Sequence, residues 1–263
     1  MSAWNAVVGI VARDLARTTR QTSRLLGGLA RPFMWLLLVG TGYNAIARVE
    51  GGLSYQAFVL PGVLVMATLF GAMLTGVATV YDREFGMLRL MLASPAGVPA
   101  VLAGRAAASA LVGLLQGGVV LAVAPLVLDA PAGRYPLAAA ALAAVAVMSA
   151  LLGLLVAARL RSVENFAGII NVVLFPLLFL SGALYPTAGL PPVLRALARV
   201  NPVTYGVDLV RAALGQPSEV APDIAAAVVI GTAVAGFGLT AMLFDPEQRF
   251  LPGKEGGGRP PGT

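Results

Sequence analysis

The chain has 263 residues, of which 58% are hydrophobic and only 11% charged, and its mean hydropathy is +0.86. A soluble globular domain carries about 25% charged residues, so this composition excludes an ordinary soluble protein and indicates a membrane protein. The net charge of +6 does not indicate nucleic-acid binding, because the basic residues stand at the ends of apolar segments. Cysteine and histidine are absent, which excludes disulfides, thiol chemistry and histidine as a metal ligand or general base.

The first predicted element is a basic amphipathic helix at residues 4–29. At helical spacing its apolar residues share one face, and four arginines fall on the opposite face: Arg13, Arg17, Arg20 and Arg24. Helices of this kind lie in the membrane interface with their charges toward anionic headgroups. We therefore expect residues 1–30 to form an interfacial helix in contact with membrane lipids. The alternative is a helix packed on a partner protein.

Six continuous apolar stretches follow, and about 20 such residues cross the hydrocarbon core of a membrane as a helix. Their continuity favours helices over barrel strands, in which apolar and polar residues alternate. The sequence thus predicts an all-α, polytopic, six-helix domain over residues 31–245, and disorder in the Gly- and Pro-rich tail, residues 246–263. The predicted spans are residues 32–47, 57–80, 101–128, 137–158, 168–184 and 224–244.

The lysine and arginine residues indicate the orientation of these spans. With the N-terminus inside the cell, 13 of the 18 basic residues fall on the inner side of the membrane and 5 on the outer side. Basic residues are in excess on the cytoplasmic side of membrane proteins. Both termini are therefore expected to be cytoplasmic.

The connection at residues 81–99, after the second span, is more than a turn. It mixes charged residues with apolar side chains at helical spacing, namely Phe85, Leu88 and Leu92. This pattern predicts a short amphipathic helix along the cytoplasmic surface, which stops before Pro95.

The connection on the outer side, residues 185–222, is also long. It contains a second amphipathic stretch at residues 193–200, followed by a segment too polar to span a membrane alone. A re-entrant hairpin or a surface helix fits that segment. Asp208 and Arg211, three residues apart, are expected to pair with each other at the outer surface.

Motifs for energy conversion are missing from the sequence. A phosphate-binding loop needs GxxxxGK followed by Ser or Thr, but the single lysine, Lys254, is followed by glutamate. An ion-coupled transporter places a titratable side chain within a span. No such residue lies near the middle of a predicted span, and Arg105 stands close to the cytoplasmic end of the third. The chain is therefore expected to take its energy from another subunit.

Polar side chains within the predicted spans are few. Gln116 and Asn171 are the best candidates to face a transport pathway, although such groups more often form hydrogen bonds between helices. Gly113 and Gly117 form a GxxxG pair, which predicts close helix packing rather than a substrate site.

Two stretches of sequence connect these features to a known family. The first stretch, residues 82–97, reads DREFGMLRLMLASPAG and is similar to a loop motif of that family. This chain departs from the motif at two positions, where Met87 replaces the usual Thr and Arg89 replaces the usual acidic residue. Residues 175–214 resemble a fifth span, outer hairpin and Asn-Pro-x-Thr segment. With six spans, the chain resembles over nearly its whole length the ABC-2 type permeases, the membrane subunits of bacterial ATP-binding-cassette exporters. The daunorubicin-exporter and nodulation-factor-exporter branch is the most similar.

The resemblance implies that the amphipathic loop helix is a coupling helix, which docks in a groove of a cytoplasmic ABC ATPase. Two copies of that ATPase would bind ATP and Mg, whereas this chain would be non-catalytic and would hold no cofactor or metal. A second permease copy, identical or a paralogue, would complete the complex. The residues implied in ATPase coupling are Arg83, Glu84, Phe85, Gly86, Leu88, Arg89, Ser94 and Pro95.

The resemblance also implies a substrate pathway where two permeases meet, mainly along the second and fifth spans, with the outer hairpin over its exit. The candidate pathway residues are Gln116, Asn171, Phe175 and Phe179, and those of the outer hairpin are Asn201, Pro202, Thr204, Asp208 and Arg211.

The implied function is the export of an amphipathic or lipid-like substrate (a drug, lipid or lipo-oligosaccharide) across the bacterial inner membrane. Apolar walls with few aromatic residues favour such a substrate over a small ion or a polysaccharide. Two alternatives stay open. An ion-coupled secondary transporter needs a titratable residue in a span, and a non-transport membrane scaffold needs no coupling helix.

Overall fold

Helices account for all the regular secondary structure in the described part of the chain, as the sequence predicts. The predicted disordered tail lies outside the described residues. The computed structural model describes residues 3–20, 22–44, 53–92, 96–128, 131–160 and 162–244. Its helices are α1 (Ala3–Arg20), α2 (Thr22–Met34), α3 (Gly40–Asn44), α4 (Tyr55–Glu84), α5 (Met87–Leu92), α6 (Gly97–Val123), α7 (Arg134–Arg159), α8 (Val163–Phe179), α9 (Pro192–Val200), α10 (Pro202–Ala213) and α11 (Pro222–Leu243).

Among the described residues, four helices are long and apolar enough to cross a membrane: α4, α6 with the 3-10 turn that follows it, α7 and α11. They correspond to the second, third, fourth and sixth predicted spans. At 1.5 Å per residue, the 30 residues of α4 extend about 45 Å, which exceeds a hydrocarbon core of about 30 Å. The chain is thus a multi-pass membrane protein.

The longest helix, α4, lies at the centre of the bundle. Its residues 57–73 are buried, and it packs against α2, α3, α6, α7, α8 and α10. The side chain of Ser54 caps its start, because its oxygen accepts a hydrogen bond from the Ala57 N–H at 3.2 Å. A helix that is apolar on all sides belongs in a core, so the other helices are arranged around α4.

The first and fifth predicted spans correspond to shorter helical segments. A π-helical turn, Trp35–Val39, joins α2 to α3, so residues 22–30, expected in the interfacial helix, share one helical run with the first predicted span. Pro32 lies inside α2 and has no N–H for the helical hydrogen bond. The π-helical turn begins three residues later. The fifth segment, α8, has 17 residues and starts earlier than residue 168, because Ser162 caps it.

Two helices fill the long connection between α8 and α11. The predicted amphipathic stretch at residues 193–200 is confirmed as α9. It ends at Asn201, whose side chain accepts a hydrogen bond from the Val203 N–H at 3.0 Å and so caps α10. Val203, Val207 and Val210 are fully buried, and α10 packs against α4, α7, α8 and α11. The segment therefore packs on the bundle through its valine stripe, which is part of the core.

Small residues allow α4 and α6 to approach closely. A Cβ placed on Gly113 would lie 2.6 Å from the carbonyl oxygen of Thr68, and one on Gly117 would collide with the Thr68 hydroxyl. Neither glycine has room for a methyl group. The close packing predicted from this GxxxG pair is thus confirmed.

We expect Gly113→Ala to lower the free energy of unfolding by about 1–3 kcal/mol, because the added methyl group overpacks the α4–α6 contact. Gly118→Ala is the matched control on the same helix, since a Cβ there meets no atom within 4 Å. Thermal unfolding of the purified chain in detergent measures both. Equal midpoints for the two variants would contradict this packing.

Candidate functional site

The loop between α4 and α6 contains a short helix, with one glycine directly before it and another at the start of α6. Gly86 precedes α5 with φ +75°, and Gly97 begins α6 with φ +74°. Glycine adopts these left-handed values without steric cost, so both bends depend on it. The predicted short helix is confirmed as α5. Ser94 and Pro95, where it was expected to stop, lie outside the described residues, as does the side chain of Arg89.

The loop has an inner and an outer face. Leu88 is 1% exposed and packs in a cluster with Leu102, Ala158 and Phe244. Phe85, by contrast, is 66% exposed, and its ring lies 4.3 Å from that of Tyr81, which is also exposed. The structure therefore separates two residues that the sequence assigned to one docking surface. Leu88 belongs to the core of the chain, and Phe85 points away from it.

Arg83 connects the end of α4 to the end of α7. Its Nη1 donates hydrogen bonds to the carbonyl oxygens of Ala157 at 2.9 Å, Ala158 at 3.1 Å and Leu160 at 3.0 Å. The last carbonyls of a helix lack partners within it and carry partial negative charge. Arg83 thus caps α7, whereas its neighbour Glu84 is exposed.

A buried charge cluster lies beside the loop. Arg105 of α6 is 1% exposed, and its Nη1 donates to Asp14 Oδ2 of α1 at 3.2 Å. Its Nη2 donates to Asp82 Oδ2 of α4 and lies 3.3 Å from the sulfur of Met91 in α5. Arg13 adds a second cation, with its Nη2 at 2.9 Å from Asp14 and at 2.8 Å from Asp82. The cluster therefore brings together α1, α4, α5 and α6.

These contacts correct the interpretation of α1. Arg13 and Arg17, expected to face lipid headgroups, bind Asp82 of the chain itself; the Arg17 pair measures 3.6 Å. Partial burial lowers the pKa of Arg13, but the hydrogen bonds and charges of Asp14 and Asp82 outweigh this, so the pKa is raised overall. Arg20 remains exposed. Asp14 is buried, and a buried carboxylate requires a cation close by. Arg105 of α6 supplies that cation, so one face of α1 packs on the helix bundle.

A second buried ion pair lies at the opposite end of the bundle. Arg211 Nη1 is 3.1 Å from Asp208 Oδ1, and its Nη2 donates to the Gly182 carbonyl at 2.9 Å. The predicted pairing is therefore confirmed, but both side chains are buried rather than at a surface. Burial raises the pKa of Asp208, against the effect of Arg211. The Val220 N–H also donates to Asp208, at 3.0 Å, so the pair holds the start of α11 against α10.

The other residues of the predicted outer hairpin also stabilise it from within. Asn201 donates to the Leu177 carbonyl at 2.6 Å, and Pro202 occupies the first position of α10, where its missing N–H has no consequence. The Thr204 hydroxyl donates to the Ala198 carbonyl at 2.8 Å.

The predicted pathway residues lie in different surroundings. Gln116 is 1% exposed between α2, α4 and α6, and neither of its amide atoms has a hydrogen-bond partner among the described residues. Phe175 and Phe179 are both partly exposed on α8, with ring centroids 6.2 Å apart. The side chain of Asn171 lies outside the described residues. The structure thus brings the two phenylalanines together on α8, where they are partly exposed, whereas Gln116 is buried.

Comparison with known proteins identifies the group to which this arrangement belongs. Residues 5–214 match the ABC-2 type transporter family. The chain belongs to this family. Nodulation protein J of Rhizobium leguminosarum bv. trifolii is 31% identical over 203 residues, which cover 73% of this chain and 75% of that protein. Inner membrane transport permease YadH of Escherichia coli strain K12 is 24% identical over 204 residues, or 77% and 80% of the two chains.

The family assignment makes the chain a membrane permease subunit of an ABC transporter. The matched region begins within α1 and includes the whole loop helix, so both the charge cluster and the exposed aromatic pair lie within the residues that match the family. The resemblance inferred from the loop motif is confirmed.

Sequence reasoning missed Asp14 and Asp82, the acidic half of the charge cluster. The sequence did indicate that these residues could be paired, because each is an acidic residue beside an apolar segment. A carboxylate needs a cation close by when it is buried. Nothing in the sequence shows that this partner is Arg105, which is 91 residues from Asp14.

We expect Arg83→Ala to lower the free energy of unfolding of the purified permease by about 2 kcal/mol or more, because the carbonyls that end α7 lose a charged donor. Glu84→Ala, at the adjacent exposed position, should leave the thermal midpoint unchanged. A midpoint shift that appeared only when a partner protein was present would instead assign Arg83 to an intermolecular contact.

Proposed function

We propose that this chain is the membrane-spanning subunit of an ABC exporter, driven by ATP that a separate cytoplasmic subunit hydrolyses. The observation that carries this proposal is α5, a short helix anchored by Leu88 in the bundle while the neighbouring Phe85 and Tyr81 stay exposed. A loop helix of this kind can receive a push from a soluble partner and pass it to α4 and α6 as rigid elements.

The docking surface would consist of Tyr81 at the end of α4, Phe85 in the connection and Met87 at the start of α5, whose side chains are exposed next to the exposed carboxylate of Glu84. Aromatic side chains at the centre of an interface commonly contribute most of its binding energy. A hydrophobic groove with a basic rim on an ABC ATPase fits this surface. Two such ATPase subunits would bind the ATP and Mg, and this chain would bind neither.

The proposed topology has six spans, formed by α2–α3, α4, α6, α7, α8 and α11, with both termini in the cytoplasm of a bacterial cell and the chain in its inner membrane. Support comes from the excess of basic residues on the inner side in this orientation. The connection with α9 and α10 would then lie on the outer side, as a re-entrant element over the exit of the pathway.

A second permease copy, identical or a paralogue, is proposed to face α8, and a pathway would form between the two copies. Ile169, Val172 and Val173 of α8 are exposed apolar side chains, next to the partly exposed pair Phe175 and Phe179. Such walls suit an amphipathic or lipid-like molecule. We propose that these surfaces carry the substrate outward and that membrane lipids cover the remaining apolar faces.

Phe85→Ala should weaken retention of the ATPase by at least about tenfold, because an exposed aromatic anchor is lost from the docking surface. The assay is affinity purification of the tagged chain from its native membranes in mild detergent, with the co-eluting ATPase quantified. The control is Val200→Ala, which truncates an apolar side chain that is even more exposed than Phe85, at 83%, at the end of α9.

The same purification tests the proposed function as a whole. A stoichiometric ATPase with the native chain, depleted by Phe85→Ala and retained by Val200→Ala, supports the exporter. A native chain that elutes without an ATPase, even after cross-linking, would overturn it in favour of a membrane scaffold.

The proposed orientation has a separate test, which is simple because the chain has no native cysteine. Arg20→Cys and Arg199→Cys each place one thiol at an exposed arginine position, at opposite ends of the bundle. In intact spheroplasts a membrane-impermeant maleimide should label Arg199→Cys, and it should label Arg20→Cys only after lysis. The reverse pattern would show that the termini are outside.

A further inference from the structure

The proposed function leaves the charge cluster around Arg105 without a role. A guanidinium at 1% exposure is stable only with acidic partners close by, and Asp14 and Asp82 supply them from α1 and α4. The same guanidinium also touches Met91 of α5. One side chain therefore contacts the loop helix, the helix before it and the N-terminal helix.

Close packing joins α1 to α6 at a second point. A Cβ placed on Gly104 would lie 3.0 Å from the Cβ of Ile10, which is buried. Gly104 precedes Arg105, and Ile10 is one helical turn before Asp14. The apolar contact and the ion pair thus lie side by side along one α1–α6 interface.

We propose that Asp14, Asp82 and Arg105 clamp α1 to the ends of α4 and α6 that flank the loop helix, so that α1 is a moving part of the ATPase-coupling element. Removing one partner of a buried charge pair leaves the other uncompensated, which is strongly unfavourable. The clamp therefore stays closed while α5 moves, and α1 moves with it. Asp14 and Arg105 are positioning residues for α5. This inference rests on the proposed function, because it assigns a role within the coupling to an ATPase.

The geometric half of the inference can be tested without any ATPase. With no native cysteine in the chain, the pair Ile10→Cys and Gly104→Cys should form a disulfide in native membranes on mild oxidation. The Cβ atoms at positions 10 and 104 lie 3.0 Å apart, and they need to separate only slightly to reach the Cβ–Cβ distance of about 3.8 Å that is usual in disulfides. Ala12→Cys with Gly104→Cys is the control, because Ala12 is exposed on another face of α1. Absence of the Ile10–Gly104 cross-link would overturn the clamp, whatever protein co-elutes.

The coupling half is tested on the purified complex of the permease with its ATPase. Asp14→Asn should reduce permease-dependent ATP hydrolysis per assembled complex by at least about fivefold, because the clamp loses one of its two carboxylates. Arg20→Gln removes an exposed charge from the same helix and should retain native hydrolysis. Co-elution measures assembly separately, so a loss of complex is not mistaken for a loss of coupling.

Covalent rescue distinguishes positioning from a general structural role. In the Asp14→Asn chain, the Ile10→Cys and Gly104→Cys disulfide should restore hydrolysis toward the native rate, and a reductant should remove the rescue. With Asp14 intact, the same disulfide should leave hydrolysis unchanged, because α1 and α6 already move together.

Two outcomes would overturn the coupling role. One is native hydrolysis by assembled Asp14→Asn complexes. The other, which applies even if Asp14→Asn fails to accumulate, is a disulfide that stops hydrolysis in the otherwise native chain until reductant is added, since this would show that α1 leaves α6 during the cycle. Failure of the proposed function has a different signature, namely no ATPase with the native chain.

Discussion

A charged group inside an apolar helix bundle is stable only where carboxylates or carbonyl oxygens surround it, and three guanidinium groups meet that requirement here. Arg105 lies between two carboxylates. Arg83 is bound to the last carbonyls of α7. Arg211 lies between Asp208 and the carbonyl of Gly182. Because each arginine needs groups from other parts of the chain, the three together determine which helix ends meet.

Between these polar ends, shape rather than charge holds the helices together. Lipid tails are as apolar as leucine, so burial of apolar side chains does little to draw membrane helices to each other. Close approach through Gly113 and Gly117 supplies the packing between α4 and α6. Gln116 lies between these glycines with its amide unpaired among the described residues. The middle of the bundle is thus held by many small contacts, and its ends by a few strong ones.

Four of the spans, the GxxxG contact, α5 and α9 could be predicted from the sequence because each depends on a local pattern of apolar or small residues. The inward and outward faces of the loop could not. Phe85 and Leu88 fit the same apolar stripe at helical spacing, yet one is exposed and the other buried. Hydrophobicity does not distinguish a side chain that contacts its own bundle from one that contacts a partner or lipid. The contacts of α1 with the bundle were missed for a related reason, since its arginines are as compatible with lipid headgroups as with Asp82.

The hydrogen bonds from Arg83 to the end of α7 are made to main-chain oxygens, and this has a consequence for how the family can diverge. Carbonyl groups at residues 157, 158 and 160 are present whatever amino acids occupy those positions. Mutational drift at the end of α7 therefore need not be matched by a change at Arg83. A contact of this kind leaves no pair of covarying positions in a sequence alignment. An arginine that joins two helices of its own chain could therefore be misread, from an alignment, as an arginine that binds a partner protein.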